Sequence, residues 1–187
     1  MSLTVLLGGA RSGKSSLAVE IGRRYDGPVS FVATAPAIDS DMRQRIERHR
    51  AERPADWTTV EAPIELSDAL RGTGDDDLVI IDCLTLWVSN LMYAGRSDDQ
   101  VRDAAASTSA LAAARTGQVV AVSNEVGMGI HPDTPLGRRY RDLLGWVNQT
   151  WTATSTTSLL LVAGKAIELT DPWQLLDGLR RPNTNRA

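Results

Sequence analysis

The stretch Leu3-Thr4-Val5-Leu6-Leu7-Gly8-Gly9-Ala10-Arg11-Ser12-Gly13-Lys14-Ser15 decides the fold. An apolar run that reads as a strand leads into G-x-x-x-x-G-K-S, and Ser16-Leu17-Ala18-Val19-Glu20-Ile21 continues as a helix. The glycines let the backbone curl until successive amides point inward at an anion, and the helix adds the positive end of its dipole. In this P-loop reading Gly8, Gly9, Ala10, Arg11, Ser12, Gly13, Lys14 and Ser15 cradle a triphosphate. Lys14 reaches the β- and γ-phosphates as a point charge, and the Ser15 hydroxyl ligates the Mg2+ that bridges them. A chance glycine-rich turn would lack the flanking strand and helix.

Outward from the loop, helix and strand alternate. Val29 to Thr34 reads as a short buried strand after the turn at Gly27-Pro28. Asp39 or Ser40 caps a helix carrying Met42, Ile46 and His49, which Pro54 ends. Trp57 to Val60 reads as a strand, and Pro63 to Leu70 as a helix with Leu66, Ala69 and Leu70 inward. Leu78-Val79-Ile80-Ile81-Asp82 is a Walker-B pattern, a central strand that delivers a carboxylate to the metal of a P-loop site. Helices follow over Leu84 to Ala94 and Asp99 to Arg115, the second alanine-rich and placed on a flank.

Val119 to Asn124 is the next buried strand. Thr134-Pro135 opens a helix in which Leu136, Tyr140, Leu143, Leu144, Val147 and Trp151 share one face. Ser158 to Ala163 is a further strand with a hairpin partner across Gly164 at Ala166 to Leu169, and a short helix follows Pro172. The pattern predicts an α/β P-loop domain, a mostly parallel sheet with helices on both faces and an antiparallel edge hairpin. One domain over 1–187 is expected, with a variable tail from about 170 and disorder from Pro182. The site should lie beyond the carboxyl ends of the strands, which puts the P-loop, Thr34 to Pro36, Asp82 and Glu125 onward on one rim.

Composition narrows the function. With 187 residues, 42% hydrophobic and 23% charged, the chain is that of a soluble globular protein, and its net charge of -3 argues against a general nucleic-acid binder. The single cysteine, Cys83, cannot pair internally, and a reducing cytoplasm is the expected compartment. No export signal is expected at the N-terminus, and no apolar run approaches the ~20 residues of a membrane span.

The stretch Arg43 to Arg53 separates this chain from a generic P-loop protein. Arg43, Arg45, Arg48, Arg50 and Arg53, with Arg11 from the loop, can surround a polyanion; a solvated helix face balanced by Glu47 and Glu52 is the alternative. His49 lies among them. A neutral imidazole is a nucleophile, and arginines lower its pKa and stabilise charge on an attacked phosphate. By spacing alone, a surface or hydrogen-bonded structural histidine is the favoured reading of His49. His131 reads as a loop residue.

The set Gly8 to Ser15, Ala33-Thr34-Ala35, Arg45-Ile46-Glu47-Arg48-His49-Arg50, Arg53-Pro54 with Trp57 and Glu61, and Asn124-Glu125-Val126-Gly127-Met128-Gly129-Ile130 resembles the bifunctional adenosylcobinamide kinase/adenosylcobinamide-phosphate guanylyltransferase family over Leu3 to Leu169. The resemblance implies a cytoplasmic enzyme of cobalamin biosynthesis. It would phosphorylate adenosylcobinamide with ATP or GTP, then transfer GMP from GTP to adenosylcobinamide phosphate. It also implies His49 as the covalent carrier of GMP and nucleotide contacts at Ala33, Thr34, Ala35, Arg50, Ala51, Glu52, Arg53, Glu61 and Asp82. Ser15 and Asp82 would hold the metal, Asp82 through water because it stands where some relatives have glutamate. A homo-oligomer, a trimer by resemblance, completes the expectation, with no nucleic-acid partner. Two other readings fit the P-loop: a small-molecule kinase without a covalent intermediate, and a nucleotide-dependent binding or switch protein.

Overall fold

The computed structural model describes residues 3–36, 50 and 53–176. In chain order these form β1 (Leu3–Gly8), α1 (Lys14–Arg23), β2 (Val29–Ala33), β3 (Thr58–Glu61), α2 (Leu66–Gly72), β4 (Leu78–Asp82), α3 (Leu84–Tyr93), α4 (Asp98–Ala114), β5 (Val119–Val122), α5 (Pro135–Thr154), β6 (Thr157–Val162), β7 (Lys165–Glu168) and α6 (Pro172–Leu175). The helix expected around Met42 and Ile46 and the tail from Pro182 lie outside the described residues.

The seven strands make one sheet in the order β3-β2-β4-β5-β1-β6-β7. Every pairing is parallel except the β6–β7 hairpin. Period-two alternation sends successive side chains to opposite faces. Leu3, Val5 and Leu7 of β1, Val79 and Ile81 of β4, and Val119 and Ala121 of β5 join one core with α2, α3, α4 and α5. Leu6, Ile80, Val120 and Val122 turn the other way onto Ala18, Leu17 and Ile21 of α1. Both faces are thus covered, which is why these strands are apolar throughout rather than alternating.

Local sequence accounts for most element ends. Ser97 and Gln100 cap α4 reciprocally, and Thr134 caps α5 with Pro135 in its first turn. The helix expected from Pro63 starts only at Leu66. The carbonyls of Pro63 and Ile64 are taken by the side chains of Asn90 and Trp87, not by a helical ladder. Leu136, expected inward, is exposed, because the first turn of α5 precedes the contacts that bury Leu143, Leu144, Val147 and Trp151. Small residues Ala105, Ser109 and Ala112 are buried on the inward side of α4, which packs along α5.

Candidate functional site

The sheet register brings the candidate residues to one edge. Glu61 pairs with Ala33, Ala33 with Asp82, Asp82 with Val122, and Val122 with Leu6, two residues before Gly8. At about 4.8 Å per strand, Glu61 and β1 each stand roughly 10 Å from Asp82, on opposite sides of it. All five strands end on the same rim because they run parallel.

The P-loop is held in shape by its own contacts and those of β6. Gly8 has φ 148 and lies so close to β6 that a Cβ there would sit 2.3 Å from the Leu161 carbonyl oxygen. Gly13, at φ 102, ends the loop in a left-handed turn that a side chain would strain. The Ser12 carbonyl accepts from the Gly164 amide at 2.9 Å, tying the loop to the β6–β7 turn. Lys14 folds back: its Nζ donates to the carbonyls of Gly8 (2.8 Å) and Gly9 (2.7 Å) and to Ser12 Oγ (3.2 Å). Burial holds its ammonium below the ordinary lysine range, with Cys83 and Asp82 nearby acting in the opposite direction. A triphosphate would replace three neutral acceptors with charged ones, so this lysine is placed to exchange partners.

Thr34 and Cys83 lock the neighbouring strand ends together. The Thr34 hydroxyl donates to the Cys83 carbonyl (2.7 Å) and accepts from the Cys83 amide (2.8 Å), while the Thr34 amide donates to the Asp82 carbonyl (3.2 Å). Asn90 of α3 donates to the carbonyls of Thr34 (2.8 Å) and Pro63 (3.0 Å), fixing the end of β2 against the segment after Glu61. Burial raises the Cys83 thiol to about 11, with the Asp82 carboxylate adding to the effect, so it stays neutral near pH 7. Arg53 stacks its guanidinium over Phe31, 4.0 Å from the ring centre, and donates to Thr59 Oγ1 at 3.3 Å. Burial lowers its pKa, Arg50 lowers it further and Asp82 opposes both, which puts one end of the arginine-rich segment within electrostatic range of the Walker-B acid.

A second loop, 123–134, borders the P-loop. The Glu125 amide donates to the Gly8 carbonyl (3.1 Å), the same oxygen that Lys14 contacts. Asn148, buried in α5, accepts from Ser123 Oγ (2.6 Å) and donates to the Asn124 carbonyl (3.0 Å), while Thr85 Oγ1 accepts from the Asn124 amide (2.8 Å). Asn90, Thr85 and Asn148 escape a motif search. The available signal was a polar side chain at an inward helical position: Asn148 lies four residues after Leu144 and three before Trp151, both fully buried.

Gly8 to Ser15, Ala33 to Ala35, Arg53, Glu61 and Asp82 therefore lie along one rim, and Arg50 is near Arg53. Glu61 is exposed there, and Glu125 is part-exposed with one carboxylate oxygen accepting from the Gly127 amide. His49, Ala51 and Glu52 lie outside the described residues. His131, expected as a loop residue, is one, with its Nδ1 2.6 Å from Arg141. Ser15 and Asp82 offer a hydroxyl and a carboxylate, hard oxygen donors of the kind Mg2+ takes while keeping several waters. Among the described residues no group of three acidic, histidine or cysteine side chains forms a metal cage by itself, so phosphate oxygens and water would have to complete the shell.

A phosphate nest on the first strand of a mostly parallel sheet, with a carboxylate ending a strand two places away, defines a P-loop nucleotide-binding protein. Solved structures agree at the level of fold: the flagellar accessory protein FlaH from Methanocaldococcus jannaschii has a TM-score of 0.50 at 15% identity, covering 90% of this chain and 78% of its own. An ATPase from the type III secretion system of pathogenic bacteria has a TM-score of 0.51 at 11% identity, covering 96% and 54%. Sequence narrows the class further. Residues 4–169 match the CobU family, described as cobinamide kinase / cobinamide phosphate guanyltransferase, and the chain belongs to that family. It is 42% identical over 148 residues to the bifunctional adenosylcobalamin biosynthesis protein CobP of Pseudomonas aeruginosa, covering 78% of this chain and 84% of the relative. It is 37% identical over 182 residues to the bifunctional adenosylcobalamin biosynthesis protein CobU of Salmonella typhimurium, covering 89% and 99%.

Among the described residues no helix is long and apolar enough to cross a membrane.

Proposed function

We propose that this chain carries out both reactions of its family at one nucleotide site, phosphorylating adenosylcobinamide and then guanylylating adenosylcobinamide phosphate through His49. The observation that carries the reading is the nest of Gly8 to Ser15, with Lys14 folded onto its carbonyls and Asp82 close enough to act on Lys14, inside a family match over residues 4–169 that spans His49.

In the kinase step the hydroxyl oxygen of the aminopropanol arm attacks the γ-phosphorus of ATP or GTP. The bond to the β-phosphate oxygen breaks, and the nucleoside diphosphate leaves as the hydroxyl proton is released. Lys14 and the loop amides stabilise the charge that passes to the leaving phosphate. Ser15 and Asp82 would hold Mg2+, which would neutralise charge on the phosphates.

In the transferase step an imidazole nitrogen of His49 attacks the α-phosphorus of GTP. A P–N bond forms, the bond to pyrophosphate breaks, and Lys14 now stabilises pyrophosphate as it departs. A phosphate oxygen of adenosylcobinamide phosphate then displaces histidine, giving adenosylcobinamide-GDP. Glu61, exposed at the end of β3, would accept hydrogen bonds from a guanine edge, and Ala33 to Ala35, Arg50 and Arg53 would contact the nucleotide, joined by Ala51 and Glu52 on the strength of the resemblance.

The same reading takes the chain to be one cytoplasmic domain that works as a homo-oligomer, a trimer by resemblance, without nucleic acid. Exposed Val162, Ile167, Trp173 and Leu175 on the β6–β7 hairpin and α6, beside the open edge of β7, support a contact between copies.

Product analysis tests the reading. Enzyme, Mg2+, GTP and adenosylcobinamide should yield adenosylcobinamide phosphate, then adenosylcobinamide-GDP with pyrophosphate. Accumulation of the phosphate alone would leave a simple kinase, and nucleotide hydrolysis without either corrinoid product would leave a switch protein.

A further inference from the structure

The segment Asn124 to Ile130 supplies no group to the two reactions above, yet it is built into the mouth of the site. Its first residues are held at both ends of a polar network, by Thr85 and Asn148 at Asn124 and by the Gly8 carbonyl at Glu125. Its outer residues do the opposite. Met128 is 79% exposed and Ile130 96% exposed, and Leu136 at the start of α5 is exposed as well. Gly127 and Gly129 flank Met128, so little side-chain bulk covers it. Large apolar side chains left in water on a loop fastened to a catalytic nest ask for an apolar ligand.

The substrate of the reading in Proposed function, on which this inference rests, has that character. Its reacting hydroxyl sits at the end of a short arm, and the rest is a broad corrin macrocycle with methyl-bearing faces. When the hydroxyl is at the γ-phosphate, the macrocycle cannot enter the nest and must lie on the surrounding rim. Three residues of chain put the Met128 backbone within about 11 Å of Glu125, and five put Ile130 within about 18 Å, distances on the scale of a macrocycle next to the loop.

We propose that Met128 and Ile130 form an apolar platform that takes one face of the corrin of cobinamide while its hydroxyl arm reaches the P-loop. The platform binds the acceptor and leaves nucleotide binding to the loop itself.

The test uses the full chain and the double variant Met128→Ser/Ile130→Ser, with adenosylcobinamide titrated by calorimetry in the presence of a non-hydrolysable GTP analogue. The variant should bind adenosylcobinamide at least tenfold more weakly, with a matching rise in its KM in the kinase reaction. The dissociation constant for the analogue should stay within twofold of wild type. The apolar double variant Met128→Leu/Ile130→Leu should keep most of the cobinamide affinity. Wild-type binding that the serine variant retains would overturn the platform alone. Wild-type protein that binds the analogue but no adenosylcobinamide would overturn the functional reading and the platform with it. Loss of oligomer on sedimentation with unchanged cobinamide affinity would give the patch to a second copy of the chain.

Discussion

Two loops leave neighbouring strands and share one carbonyl, yet they are built in opposite ways. The P-loop after β1 folds Ser12 and Lys14 inward: Lys14 lies on the Gly8 and Gly9 carbonyls, Ser12 anchors the β6–β7 turn, and a side chain at Gly8 would strike β6. The loop after β5 is fixed at its root, where Asn148, Thr85 and Gly8 hold Asn124 and Glu125, and at its far end, where Arg138 and Arg141 hold His131 to Asp133; between them Met128 and Ile130 stand in water. The difference teaches that a motif can be specific for two reasons. One loop is constrained by backbone geometry that a phosphate requires, the other by the surface it offers to something large.

That contrast can be broken most severely at Lys14. Lys14→Ala should lower both the kinase and the guanylyltransferase rates by roughly 10²–10³-fold, since one preorganised cation serves both leaving groups. Initial rates of the two reactions check this, and a variant that loses only one would divide the site. The same lysine sets a pH dependence. The reaction needs the ammonium, and burial lowers its pKa, so activity should fall on the alkaline side at a pH below the 10.5 of a free lysine.

Gly8→Ala comes next. Its φ of 148 and the approach to Leu161 predict a loss of about 2–4 kcal/mol in denaturant unfolding, together with impaired nucleotide binding. An unchanged midpoint would mean that the loop is not pinned on β6. Asn148→Leu keeps the volume but strands the Ser123 hydroxyl and the Asn124 carbonyl, for a loss of about 1–3 kcal/mol and a loosened second loop seen as faster amide exchange at 124–130. If exchange there is unaltered, the root of that loop is held by other contacts.

The smallest effect falls beside the two loops, at Cys83 just after β4. Its thiol pKa is raised to about 11, so alkylation at pH 8 should be slow and should speed up until the pH passes about 11. The folded state holds this proton more tightly than the unfolded chain. Its contribution to stability is therefore complete below the unfolded value of 9.0 and is lost as pH rises toward 11.

How legible this was in the sequence varied with the range of the interaction. The P-loop, the Walker-B strand, the edge hairpin and the Thr134 cap are all local patterns, and the structure places β1, β4, β6, β7 and α5 where those patterns put them, within a residue or two. The strand order, with β5 inserted between β4 and β1, depends on pairings across the chain that no local pattern encodes. Asn90, Thr85 and Asn148 were invisible for the same reason. Each acts on backbone groups 24 to 56 residues away, and only the fold brings them together. Pro63 reads as a helix opener, yet α2 starts at Leu66 because Asn90 and Trp87 claim the carbonyls of Pro63 and Ile64. Leu136 fits the helical period of α5 but stays in water, because the first turn of that helix precedes its buried contacts.

The division of labour between a loop that binds and a histidine that carries GMP is tested most directly by the protein itself. GTP labelled at the α-phosphate, incubated with the enzyme and Mg2+ without any corrinoid, should leave acid-labile label on the wild-type chain and none on His49→Ala. Folded wild-type protein that binds GTP and takes up no label would contradict the account.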